Sequence, residues 1–196
     1  MIVRSLTHSS DFIPVIISYR ETVQPVLILG HTDKLTVYNT LKNDCNLVAC
    51  EELGAYVISY VSNGGTAVSN VGDLGAYFRI KGKHFKWCKY VINKIQMWLV
   101  LHGVNAYIEH NDLLIYGKKV LGYTENDEGE YVSGSIFIAM TNSTDIVKKI
   151  CLKPKTRQCS GLNEFGITQT EISEVIISAT KEYIDLISSG KGDTGC

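Results

Sequence analysis

Residues 111–122 read N-D-L-L-I-Y-G-K-K-V-L-G. Asn111 and Asp112 open the stretch, the apolar run Leu113-Leu114-Ile115 follows, and Gly117 precedes two lysines and a second apolar run closed by Gly122. The pattern is strand, tight turn, strand, with Lys119 opening the second strand. Two readings fit it. On a solvent-facing hairpin, lysines at the tip are ordinary. Side chains reverse at each residue of a strand, however, so Lys118 and Lys119 cannot both face the same way. The second reading turns one of them inward, where an ammonium would meet a phosphate, an acyl-adenylate or a developing oxyanion.

Further strand signals lie on both sides of this hairpin. Residues 104–108, 112–116, 119–123 and 130–140 read as short strands, the last containing S-G-S-I-F-I. Upstream, 25–29 (PVLIL) is a buried strand ending at Gly30, and 55–61 and 75–80 are β-branched, aromatic and bounded by glycines. The strongest helix spans 84–101, with Cys88, Val91, Ile92, Ile95, Trp98 and Leu99 at i, i+3, i+4 spacing and Gly103 as its stop. Its Trp and Met residues are expected in the core. Shorter helices are expected over 10–22, over 33–43 (face Leu35, Val37, Tyr38, Leu41) and over 144–152. A terminal helix over 168–188 begins with Thr168 as N-cap and Glu171 completing a capping box. Strands interrupted by one long helix predict an α+β fold, helices packed on a mixed or antiparallel sheet. We expect one domain over 1–188 and a disordered tail over 189–196.

Composition excludes more than it assigns. The chain has 196 residues, enough for one sizeable core. A net charge of -1 gives no electrostatic case for nucleic acid or an anionic membrane. No apolar run reaches the length of a membrane span and the first residues lack a signal-peptide pattern, so a cytoplasmic protein is expected. Six cysteines occur without a C-x-x-C, which predicts reduced thiols and no metal site built by them. His31 reads as an exposed turn residue. His84, His102 and His110 lack metal-ligand spacing, and the eleven tyrosines read as strand packing.

Residues 62–75, S-N-G-G-T-A-V-S-N-V-G-D-L-G, place four glycines between two strands. Such glycines permit close backbone approach to a ligand, and successive N–H groups can cradle a phosphate or carboxylate. The same letters also make an ordinary turn. They form neither G-x-G-x-x-G nor a P-loop.

Taken in order, these segments resemble the catalytic domain of the lipoate–protein ligase and biotin ligase family. There an S-G-G-G-A-V-like loop precedes an H-D-L-G-N-like turn, an N-D strand leads to G-K-K-(I/V)-x-G, and an H-G-x-L-L-like strand follows. Residues 25–140 follow that order, and G-K-K-V-L-G is the most specific match. The resemblance implies that Lys119 is the catalytic lysine, holding an acyl carboxylate and α-phosphate oxygens, with Lys118 an outward neighbour. It implies that Gly64, Gly65, Thr66 and Ala67 lie along the acyl chain and adenylate. Asn111 and Asp112 would help place the nucleotide or its metal, and Asn70 and Gly122 complete the implied binding set. The implied activity is that of a ligase using ATP and Mg²⁺ to adenylate lipoate, octanoate or a related acid and pass it to a lysine of an acceptor protein.

The sequence departs from the family pattern in several places. Tyr60 and Val61 stand where the family carries an Arg-Arg pair, Asn70 stands for the turn histidine, and the loop YTENDEGEY after Gly122 is acidic. These departures motivate a non-catalytic binding or scaffold module as an alternative. Cys151, 32 residues after Lys119, and Cys159 motivate another: an octanoyltransferase that takes its acyl group from a carrier protein through a cysteine thioester.

Overall fold

The computed structural model describes residues 1–6, 24–40, 45–60, 66–81, 86–127, 129–152 and 157–189. The helix expected over 10–22, Gly64 and Gly65, and the tail from residue 190 lie outside them.

The larger sheet has seven strands. In chain order these are β1 (Ile2–Leu6), β2 (Val26–His31), β6 (Leu74–Lys81), β7 (Ala106–Glu109), β8 (Asp112–Ile115), β9 (Lys118–Asp127) and β10 (Tyr131–Ile138). Their spatial order is β1-β2-β6-β10-β9-β8-β7. β1 and β2 are parallel and all other neighbours antiparallel, so the sheet is mixed, as expected. The unbroken apolar run of β2 reflects burial on both faces: Leu27 and Leu29 join the core beneath the helices, and Val26 and Ile28 are equally buried outside it.

Two helices cover one face, α2 (Trp87–Leu101) and α4 (Gln169–Ser188). α2 buries Cys88, Val91, Ile92, Ile95 and Leu99, the stripe read from spacing. Trp87 is fully buried, stacks on Phe78 at 5.0 Å and donates from Nε1 to Thr180 Oγ1 at 2.9 Å. Met97, expected inside, is 58% exposed because it falls on the opposite face from that stripe. The capping box of α4 is present: Glu171 N donates to Thr168 Oγ1 (3.3 Å) and Thr168 N to Glu171 Oε2 (2.8 Å).

A second sheet has the order β4-β3-β5, from β3 (Thr36–Thr40), β4 (Tyr56–Tyr60) and β5 (Ala67–Ser69). It corrects the helix expected over 33–43. β3 pairs parallel with β4 and antiparallel with β5. Adjacent residues Val37 and Tyr38 are both buried but in different directions. Val37 packs with Cys45, Cys50 and Ile150, whereas the Tyr38 ring lies 5.2 Å from Phe137 of β10. That is strand alternation, and the β-branched run T-V-Y-N-T supports it. Two short helices, α1 (Leu47–Glu52) and α3 (Thr144–Ile150), pack behind this sheet. The Tyr38–Phe137 contact brings the small sheet against the face of the large one that the helices leave open.

The hairpin of 111–122 forms. β8 and β9 are joined by Tyr116-Gly117, both at positive φ (49° and 78°), the two-residue turn that suits twisted strands. Residues 123–127, read as part of an acidic loop, instead continue β9 along β10.

Candidate active site

A β-bulge decides where Lys119 points. Asp112 pairs with Gly122, Leu113 with Leu121, and then Leu114 with Lys119, leaving Val120 as the extra residue. Val120 and Leu121 both enter the helix-side core together with Leu113 and Ile115. The bulge therefore shifts the alternation, and Lys119, Gly122 and Asp112 share the opposite face. Lys118, paired with Ile115, lies on the other side of β9 from Lys119.

On that face Lys119 Nζ lies 2.7 Å from Asp112 Oδ1, directly above Gly122. A Cβ at Gly122 would sit 2.9 Å from Nζ and 3.3 Å from Asp112 Oδ1, so the glycine makes room for this ion pair. The segment around Cys159, of which the sequence singled out only that cysteine, completes it. Lys119 N donates to Gln158 O (2.9 Å) and Ser160 N to Lys119 O (3.0 Å), which sets Cys159 beside Lys119 in a parallel bridge. Arg157, at the head of this segment, donates from Nη1 to Asp112 Oδ2 (3.1 Å) and from Nη2 to Glu109 Oε1. Gly161 ends the segment against β10, where a Cβ would collide with the backbone of Met140 and Thr141.

These groups border a cavity of about 530 Å³ between the two sheets. Thr66, Ala67, Val68 and Ser69 form one wall; Lys119 to Thr124 and Phe137 form another; Val147 and Cys151, with Arg157 and Cys159, close a third side. Thr66, Ala67, Asp112, Lys119, Gly122, Cys151 and Cys159 all border this one cavity. Asn70 and Asn111 are not among the lining residues. Asn70 is spent on its own turn, accepting from Val71 N (2.9 Å) and donating to Thr141 Oγ1 (3.2 Å). Asn111 is exposed in the turn before β8, contributing its carbonyl to Tyr123 N (3.2 Å). His110, at φ 56° in that turn, reaches the lining, and half-buried His31 ends β2 instead of standing in an exposed turn.

Asp73 is the buried acid of the site. Its Oδ2 accepts from Asn70 N (2.7 Å) and its Oδ1 from Met140 N (2.8 Å) and Thr141 N (3.3 Å). It so fastens the turn after β5 to the end of β10. Burial pushes its carboxyl up to about 6, against the pull of those three backbone donors. Its place inside G-D-L-G hints at a turn; nothing local indicates that Met140 and Thr141 will close over it.

Comparison with solved structures gives this arrangement a context. A bipartite lipoate protein ligase from Thermoplasma acidophilum, studied with its E2 lipoyl domain, superposes with a TM-score of 0.75 at 14% identity, covering 93% of this chain and 83% of that one. A lipoate-protein ligase A bound with ATP gives 0.73 at 14% identity, over 93% and 85% of the two chains. This chain has the lipoate and biotin protein ligase fold. A biotin protein ligase from Aquifex aeolicus in complex with biotin is more distant within that fold, with a TM-score of 0.59 at 10% identity over 98% and 73%. Neither a family model nor a curated protein matches the sequence. The ligase fold is thus reached with few identical residues, and no helix among the described residues is long and apolar enough to cross a membrane.

Proposed function

We propose that the chain is an acyl-adenylate-forming ligase that attaches lipoate, or a related carboxylic acid such as octanoate, to a lysine of an acceptor protein. The observation that carries this reading is Lys119, turned by the Val120 bulge into a cavity between the two sheets and held there by Asp112. A volume of about 530 Å³ suits a small acid together with part of a nucleotide.

In the first step a carboxylate oxygen of the acid attacks the α-phosphorus of ATP, the bond to the bridging oxygen breaks, and pyrophosphate leaves. The Lys119 ammonium would hold the acid's carboxylate and an α-phosphate oxygen together, offsetting their mutual repulsion and the negative charge carried by the α-phosphoryl oxygens. In the second step the neutral amine of the acceptor lysine attacks the acyl carbon, the bond to AMP breaks, AMP leaves, and the nitrogen gives up a proton. Lys119 would then carry the charge building on the acyl oxygen. Asp112 would keep the lysine aimed. Thr66 and Ala67 would lie along the ligand. Among the described residues no three ligand-type side chains converge, and both oxygens of Asp112 are already engaged by Lys119 and Arg157, so Mg²⁺ would be held chiefly by the substrate's own phosphates. When bound, it would neutralise phosphate charge.

ATP–pyrophosphate exchange with lipoate, octanoate and biotin tests the reading. Exchange with at least one acid is expected; folded protein that exchanges with none would remove it.

One observation favours a second reading. Cys159 is paired with Lys119 and borders the cavity, as does Cys151. A thiolate there could attack a carrier-protein thioester, release the carrier thiol and pass the acyl group to an acceptor amine, without ATP. Octanoyl transfer from a carrier protein that is lost in Cys159→Ser or Cys151→Ser would establish it. With neither chemistry, the fold would serve as a binding or scaffold module.

A further inference from the structure

The family resemblance leaves this chain without a guanidinium before the glycine loop, since Tyr60 and Val61 occupy those places. The cavity nevertheless contains one. Arg157 borders it from the far end of the chain, on the segment whose backbone pairs with Lys119. Its side chain is only 27% exposed, and its fork divides between Asp112 and Glu109. Asp112 is therefore shared, with one oxygen taken by Lys119 and the other by Arg157. Two cations converge on a single carboxylate at the mouth of a cavity that would receive an anion.

Asp112 and Glu109 face each other across the β7–β8 hairpin, and the guanidinium lies between their charges. The Glu109 end is half exposed, where an ion pair adds little stability. Arginine has five N–H donors in a plane, so two carboxylate contacts leave donors for a phosphate. We propose that Arg157 binds the nucleotide's phosphate oxygens beside Lys119, exchanging its Glu109 contact for the ligand and keeping Asp112 as its brace. This rests on the ligase reading above. It moves the phosphate-binding guanidinium from the sheet edge before the glycine loop to the segment that follows α3.

The competing role is purely structural, with Arg157 as a clamp tying residues 157–160 to the hairpin. ATP binding by the full chain, measured calorimetrically, and the ATP KM in pyrophosphate exchange separate the two. With Arg157→Ala, ATP affinity should fall on the order of 10- to 100-fold, the scale of a lost charge-assisted contact. Arg157→Lys should recover part of it, because charge returns without the fork. Glu109→Gln should leave ATP affinity unchanged or tighter, since it removes the guanidinium's competing partner. If Arg157→Ala and Glu109→Gln lower the unfolding temperature alike and neither alters ATP binding, the clamp reading holds and the proposal is overturned, with the ligase reading intact. If the wild type neither binds ATP nor exchanges pyrophosphate, the ligase reading fails and the Arg157 assignment falls with it. Arg157→Lys, which keeps the charge and most of the volume, gives the answer should Arg157→Ala not fold.

Discussion

The two walls of the cavity are built to different standards. Lys119, Gly122 and Asp112 stand on a seven-stranded sheet backed by α2 and α4, over a continuous core that runs from Leu27 to Tyr183. Thr66 to Ser69 stand on a three-stranded sheet backed by two short helices, with Val37, Cys45, Cys50 and Ile150 as its buried centre. A charged group that must hold its geometry sits on the heavily buried side, and the wall that would close along a ligand sits on the lightly buried one. Local opening follows buried apolar contact, so the small sheet should open first.

Core truncations give the largest contrast. Ile95→Ala, beneath the large sheet, should cost about 2–5 kcal/mol in urea unfolding, and Val37→Ala distinctly less. Equal losses would mean the two walls are equally braced. Amides of β3 and β5 should likewise exchange with deuterium before those of β6 and β10.

The junction of the walls should depend on pH. Asp73, which joins the β5 turn to β10, has a carboxyl raised from 3.8 to about 6 by burial. A raised carboxyl pKa favours the protonated native state, so this contribution is complete below about pH 3.8 and is lost as pH rises through about 6. Two units correspond to roughly 3 kcal/mol. The stability of the wild type relative to Asp73→Asn should therefore increase as pH falls from 7 to 4.5; a gap that shrinks toward acid would reverse the assignment.

Gly122→Ala tests the strong wall without breaking it. The added Cβ meets the far end of the Lys119 side chain, which can move, so unfolding should change little. Displacing Nζ from Asp112 should slow pyrophosphate exchange about tenfold, the scale of a misplaced charged group. An unaltered rate would show that the pairing of Lys119 with Asp112 is dispensable. The smallest effect is expected from Thr168→Ala, which removes the capping box of α4 and should cost about 1 kcal/mol, seen as a lower unfolding temperature with exchange activity retained.

What the sequence reveals also divides along these walls. Periodicity exposes PVLIL and the α2 stripe because deep burial on the large sheet leaves apolar residues at every inward position. The turn and glycines of 111–122 identify the hairpin, whereas the choice of Lys119 over Lys118 rests on the family resemblance alone. Around β3, the apolar spacing read from the sequence fits a helical face as well as a strand, and only the neighbours of Val37 and Tyr38 settle which it is. The Val120 bulge, which aims Lys119, has no local signature. Arg157 and Asp73 escape because their roles depend on contacts at long range: Arg157 with a hairpin 45 residues earlier, and Asp73 with the end of β10 67 residues later.

The central claim is that Lys119, aimed into this cavity, handles an activated acyl group. ATP–pyrophosphate exchange by wild type and Lys119→Ala, with the acid that supports exchange best, measures it most directly. The account predicts a fall on the order of 10²- to 10³-fold in Lys119→Ala, as for loss of a preorganised charge-stabilising group. An exchange rate equal to that of the wild type would contradict it.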